Sequence, residues 1–436
     1  MLRRKITNRL LEWKNRKKRP ALLVKGARQV GKTFSIREFG RSNYKNFIEI
    51  NFEKQSSVKK AFEGDLDART IILKLSAMGL GPFEEGSTLI FFDEIQSCPQ
   101  ARTAIKFLVE DGRFDYIESG SLLGISYREV SSYPVGSEEQ LNMYPLDFEE
   151  FLWAKGVSKD VIDELRNAYT EIRPVDEFLH EQIMRSYHEY LVAGGMPAAV
   201  TAFLENDDFA ETLRVQKDIL NSYRDDISKY AGDEKILVKK MFDAIPEQLN
   251  KKNKRFIFSD LEKGTTSNKY ENASMWLTEA GVSYNCFNVA SLEPPLSFSE
   301  KRNLYKLYML DTGLLCAQGM SGIQPFLLSG DIAVNEGGVT ENAVGAALAK
   351  KDMPLYYYDK DSRCELDFIF TEKGKASVIE VKSGKRYKQH ASLDKIGKET
   401  NWRLNRKIVL SKHNVEKGAD GVIYYPLYMA MFIDGT

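Results

Sequence analysis

The sequence predicts an α/β chain of several domains, and three observations carry that expectation. Short apolar runs alternate with longer helical or loop stretches over residues 1–147, helical periodicity takes over from 148, and strand signals return from 256 onward. Strands joined by long connections imply crossovers, hence a parallel sheet with helices on both faces. At 436 residues, 43% hydrophobic and 28% charged, the chain can build two to four cores of about 100–200 residues each. That excludes wholesale disorder and a small stapled module. The 62 basic residues balance 62 acidic ones, so no global cationic field holds nucleic acid by counterion release, and any such contact has to be local.

In chain order, Leu2, Ile6, Leu10 and Trp13 recur at helical spacing among Arg and Lys, which predicts a short amphipathic helix within 2–18. Runs at 21–24, 47–50, 89–92, 116–118 and 141–144 read as the strands of the parallel sheet. The stretches 148–155, 159–172, 175–192 and 209–230 read as helices and make 148–232 a helical lid. A further amphipathic helix at 234–249 precedes a strand at 256–261, a helix at 267–280 and strands at 284–290 and 304–310. That order suits a winged helix over 233–312, with 267–280 as its recognition helix bearing Asn268, Lys269, Glu271 and Asn272. The last domain, 313–436, is mixed α/β with strands at 355–358, 365–370, 377–382 and 407–410. The four cysteines lie far apart, no signal-peptide core is present, and no run of 18 apolar residues occurs. These features suggest a soluble, cytoplasmic protein without a membrane role.

Gly26-Ala27-Arg28-Gln29-Val30-Gly31-Lys32-Thr33 fits G-x-x-x-x-G-K-[ST] between a strand and a helix. The glycines let backbone N–H groups approach the phosphates of ATP, Lys32 supplies a charge to the β/γ oxygens, and Thr33 can ligate Mg²⁺. Leu89-Ile90-Phe91-Phe92-Asp93-Glu94 is an apolar strand ending in two carboxylates, expected on a neighbouring strand. Asp93 would complete the Mg²⁺ shell and Glu94 would polarise the attacking water, because in-line hydrolysis needs both an ion and an oriented nucleophile. Ser119-Gly120-Ser121 follows another apolar strand, and a hydroxyl there, with Ser121 the catalytic candidate, could bond the γ-phosphate or the water. A small-molecule kinase is disfavoured by the acidic pair and the long accessory domains.

Together with Met143-Tyr144-Pro145-Leu146-Asp147-Phe148-Glu149-Glu150-Phe151-Leu152, Gly194-Gly195-Met196-Pro197 and Lys306-Leu307-Tyr308-Met309-Leu310-Asp311-Thr312-Gly313, these motifs resemble a prokaryotic family of AAA-type ATPases. The family carries a C-terminal domain of uncharacterised function and is similar to archaeal ATPases with a winged helix and a restriction-endonuclease-like tail. The resemblance spans essentially the whole chain and implies a homo-oligomer as one assembly. One departure concerns the arginine that such ATPases use on the γ-phosphate: Ser137 stands where related chains often have a basic residue, leaving Arg128 and Arg224 as candidates.

A second acidic set comprises Glu341 in a predicted helix at 339–349, Asp367 in a strand, and Glu380-Val381-Lys382 thirteen residues beyond Asp367. It resembles the PD-(D/E)XK nuclease core. Glu380 and Lys382 share one face of a strand, so a metal-binding carboxylate stands beside a catalytic ammonium, and Asp367 and Glu341 would complete the shell for Mg²⁺ or Mn²⁺. Lys385, Arg386 and Lys388 could meet phosphates, whereas His180, His188, His390 and His413 form no recognisable ligand cluster. Two functions follow. Either ATP turnover is coupled to DNA or RNA binding or cleavage by the tail, or the chain is a nucleotide-dependent switch that binds a protein partner with a silent tail.

Overall fold

The apolar runs of the N-terminal region form five strands: β1 (Ala21–Gly26), β2 (Asn46–Asn51), β3 (Thr88–Asp93), β4 (Asp115–Ser121) and β5 (Glu138–Asn142). They make one parallel sheet in the order β2-β3-β4-β1-β5. Every residue of β3 is buried, as expected for a strand covered on both faces. Helices α1 (Ile6–Lys14), α2 (Lys32–Asn43), α3 (Ala68–Ala77) and α4 (Pro99–Asp111) complete this unit. Pro99 opens α4, where a missing N–H is harmless, and Asp67 caps α3 by accepting from the Thr70 N–H at 2.9 Å. The acidic strand is not the immediate neighbour of the loop strand: β4 lies between them, which sets the serine-bearing strand at the centre, between the loop strand and the acidic strand as expected for its hydroxyl. The last strand forms at Glu138–Asn142 rather than 141–144.

This computed structural model describes residues 2–121, 136–206, 209–251, 253–257, 267–319, 328, 336–360, 364–384, 386–399 and 402–435. The chain divides into two units, Arg3–Tyr144 and Pro145–Thr436. Arg128 and Lys385 lie outside the described residues, as does most of the strand expected at 256–261.

The second unit begins with α5 (Phe148–Ala154), α6 (Lys159–Glu171), α7 (Glu177–Ala193), α8 (Pro197–Asn206), α9 (Phe209–Tyr230), α10 (Lys235–Asn250) and α11 (Ser267–Glu279). A hairpin, β6 (Ser283–Val289) and β7 (Glu300–Met309), is followed by α12 (Thr312–Gly319) and α13 (Glu336–Ala349). Then come β8 (Leu355–Lys360), β9 (Cys364–Glu372), β10 (Lys375–Val381), α14 (Ala391–Glu399), β11 (Lys407–Ser411), β12 (Glu416–Lys417) and β13 (Val422–Pro426). One eight-stranded sheet joins them in the order β12-β13-β11-β10-β9-β8-β6-β7. The hairpin expected as the wing therefore continues, through parallel pairing of β6 with β8, into the strands expected as the nuclease-like core.

Three sequence strings meet inside this unit. The Leu146 N–H donates to the Gly195 carbonyl at 2.7 Å, and the Gly195 N–H donates to Asp311 Oδ2 at 2.6 Å. A Cβ at Gly195 would stand 2.0 Å from the Leu146 carbonyl oxygen, and Gly194, at φ +70°, would bring one within 2.1 Å of Asp311 Oδ1. Only glycine fits either position. All four cysteines are buried, and none forms a disulfide. Among the described residues, no helix is long and apolar enough to cross a membrane.

Candidate functional site

Where β1 runs into α2, Gln29 at φ 67° and Gly31 at φ 98° turn the loop in left-handed conformations. Gly26 lies against the segment after β5, where a Cβ would come within 2.2 Å of the Met143 carbonyl oxygen, and the Met143 N–H donates to the Lys25 carbonyl at 2.7 Å. The buried Arg4 guanidinium fastens the same region, donating to the Val30 carbonyl at 2.9 Å and to the Tyr144 carbonyl at 2.6 Å. Lys32 Nζ folds over the loop and donates to the Gly26 and Ala27 carbonyls, both at 2.9 Å. Burial lowers the Lys32 ammonium to about 8, with the charges of Glu94 and Asp93 opposing the shift.

Asp93 is the hub of the site and is only 2% exposed. Thr33 Oγ1 donates to its Oδ1 at 3.1 Å, Asn51 Nδ2 donates to its Oδ2 at 2.7 Å, and the Ser119 hydroxyl also donates to Oδ1. The topology accounts for each contact: Asn51 is the register partner of Asp93 in the β2–β3 ladder, and β4 brings Ser119 alongside from the other flank. Hydroxyl and carboxylate oxygens are the hard donors that Mg²⁺ prefers, so Thr33 and Asp93 fit that ion. Glu94 follows in a left-handed backbone at φ 55°, a conformation that costs a non-glycine residue about 1–2 kcal/mol. Its Oε2 accepts from Gln96 Nε2 at 2.6 Å. Burial, helped by the charge of Asp93, raises its carboxyl above the ordinary range against that hydrogen bond. Ser121 ends β4 with its Cα opposite Gly26; the hydrogen bond that β4 is seen to give Asp93 comes from Ser119, two residues earlier. Arg224, in α9, pairs with Asp243 at 2.9 Å.

The second acidic set has different company. Glu341, 1% exposed, accepts from Lys306 Nζ at 2.9 Å and Tyr308 OH at 2.6 Å on Oε1, and from Lys254 on Oε2. Burial alone would raise its carboxyl, but Lys254 and Lys306 prevail and hold it down to about 2. Asp367 Oδ2 accepts from the Val381 N–H at 2.8 Å, and Oδ1 lies 3.7 Å from Lys306 Nζ. Burial and the neighbouring Glu341 charge push Asp367 up to about 6. Glu380 pairs through Oε1 with Lys382 at 2.5 Å, while its Oε2 is buried without a hydrogen-bond partner. The face shared by Glu380 and Lys382 is thus observed, but Glu341, Asp367 and Glu380 do not converge as a cage. Among the described residues, the group of three acids or histidines whose ligand atoms lie within 4.8 Å of one another is His390, Asp394 and Asp420. There the ring nitrogens of His390 are already engaged by Asp394 Oδ1 at 3.1 Å and Tyr424 OH at 2.7 Å. The three-carboxylate set therefore does not fit a divalent ion as it stands. Lys254, Lys306, Tyr308 and Glu365 escaped the sequence reading because none belongs to the Asp…Glu-x-Lys spacing.

Comparison with known proteins divides the chain in three. Residues 18–152 match a family model described as an AAA domain, while 184–325 and 336–429 match two domains of unknown function, DUF8612 and DUF4143. No curated protein matches the chain. Among solved structures, PCH-2 of C. elegans is similar at 14% identity over 43% of this chain and 56% of that one, with a TM-score of 0.25. The Aeropyrum pernix ORC1 protein, solved in complex with DNA, is 13% identical over 76% of this chain and 93% of that one, TM-score 0.24. Domain III of the Thermotoga maritima replication initiation protein DnaA is 13% identical over 49% and 90%, TM-score 0.28. At such scores none of these likenesses establishes a shared fold.

Proposed function

We propose that the unit Arg3–Tyr144 binds ATP with Mg²⁺ and hydrolyses it. The observation that carries this reading is the convergence of Thr33, Asn51 and Ser119 on Asp93, with Glu94 the next residue, beside a loop closed by Lys32. Lys32 would hold the β/γ oxygens, Thr33 and Asp93 would hold the ion, and Glu94 would accept a hydrogen bond from the attacking water and orient it. Bound Mg²⁺ supplies neutralisation of the charge that develops on the phosphate oxygens. Asn51 and Ser119 fix the Asp93 carboxylate, so that it is set before nucleotide arrives. Steady-state turnover tests the assignment. Glu94→Gln should keep nucleotide affinity and lose about 10²–10⁴-fold in kcat, whereas Lys32→Ala should weaken binding itself. Unchanged turnover in Glu94→Gln would refute the role given to that residue.

For the tail, the silent reading is favoured over metal-dependent cleavage, because lysines already satisfy Glu341 from both oxygens. The chain is then a nucleotide-dependent switch whose partner is a protein or a second copy of itself, with DNA or RNA held uncut as the alternative. Four buried cysteines that form no disulfide support a reducing, cytoplasmic home. Incubation with single- and double-stranded DNA and RNA in Mg²⁺ or Mn²⁺, with and without ATP, should give no cleavage. Cleavage abolished by Lys382→Ala would restore the nuclease.

A further inference from the structure

Nucleotide chemistry leaves one sequence string without a task, Lys306-Leu307-Tyr308-Met309-Leu310-Asp311-Thr312-Gly313. Asp311 accounts for the second half by bonding Gly195 and the Leu314 N–H. The first half lies on β7, where alternate residues share a face, and both Lys306 and Tyr308 reach Glu341. Lys306 is wholly buried, and its single ammonium has carboxylate oxygens of Glu341 and Glu365 at 2.9 Å each and of Asp367 at 3.7 Å. These acids come from two elements: α13 supplies Glu341, and β9 supplies Glu365 and Asp367.

We infer that Lys306 is the fixed internal cation of this site, standing where a divalent ion would otherwise balance Glu341, Glu365 and Asp367. Two independent counts support it. The first is of lone pairs. Glu341 accepts from two lysines and a tyrosine, and Asp367 accepts from a backbone N–H and faces Lys306. An ion that asks for about six open oxygens meets acceptors already engaged. The second is of charge. Three carboxylates against Lys306 and Lys254 leave a deficit of one, so an added divalent ion would overshoot. Without Lys306, buried carboxylates would be left unpaired, which is costly unless another cation enters. Of the predicted set, Glu380 Oε2 is buried without a hydrogen-bond partner and Asp367 Oδ1 has Lys306 at 3.7 Å, and two such oxygens do not make a cage. The inference does not depend on the ATPase reading, since it concerns the other unit and its test uses no nucleotide.

The test is Mn²⁺ binding by the full chain, followed by electron paramagnetic resonance without nucleotide, in an Asp93→Asn background that silences the loop site. The parent chain and its Asp367→Asn derivative should bind Mn²⁺ equally poorly. Lys306→Met should gain one Mn²⁺ per chain with at least tenfold higher affinity. A parental Mn²⁺ site that disappears in Asp367→Asn would overturn the inference, and so would a folded Lys306→Met chain that gains nothing. Should Lys306→Met not fold, Lys306→Gln keeps a hydrogen-bond donor at that place and removes the same charge. That folded variant must then gain Mn²⁺, and its failure to do so also overturns the inference.

Discussion

Lys32 spends its charge in two settings that pull apart. Out of water and held against two carbonyls, its ammonium titrates near 8 instead of 10.5. A bound triphosphate favours the charged form, so binding takes up a proton wherever the free chain has lost it. Nucleotide affinity should therefore be full below pH 8 and fall as pH rises through it, by about tenfold per unit at the limit. Fluorescent-nucleotide titrations from pH 6.5 to 9.5 check this, and a flat profile would contradict the buried position of the amine. The same residue was legible in the sequence because the loop motif fixes its role by spacing. Asn51 was not, since it lies 42 positions before Asp93 and meets it only through parallel register. Lys306 was hidden for a related reason: a spacing rule names the carboxylates, but the cation that fills them arrives from a strand outside the rule.

The elements beyond the sheet are set by short-range chemistry that can be tested separately from long-range fit. Asp147 caps α5 by accepting from the Glu150 N–H at 2.8 Å, and the Glu150 carboxylate accepts from the Asp147 N–H at 3.0 Å. Asp147→Ala should cost about 1 kcal/mol. Gly195→Ala, which drives a Cβ into the Leu146 carbonyl, should cost about 3 kcal/mol or more because backbone rather than a flexible side chain must move. Denaturant unfolding of the two variants would order them, and an equal effect would count against the tight approach. Most helices and strands were readable from apolar period. β5 formed earlier than expected because Glu138-Glu139-Gln140 carries no apolar signal; the strand exists through its pairing with β1 rather than through propensity. β13 (Val422–Pro426) was missed altogether: its five buried residues form a short apolar run without a period.

At the scale of the whole molecule, each unit has its own core: one cluster runs from Ala21 to Tyr116 and another from Val289 to Tyr424. Calorimetry should resolve two transitions, and ATP at 100 times its Kd should stabilise the one for Arg3–Tyr144 by about 2.7 kcal/mol while leaving the other in place. A single transition that moves as one would contradict that division. The tie made by Arg4 has a consequence for comparing this chain with its homologues. The acceptors at Val30 and Tyr144 are main-chain carbonyls, and a carbonyl survives any change of side chain. Substitutions at 30 and 144 will therefore show no compensating partner at 4, and covariation will be blind to the contact. Only the identity of residue 4 itself will record that the phosphate loop and the last residue of its unit are held by one guanidinium.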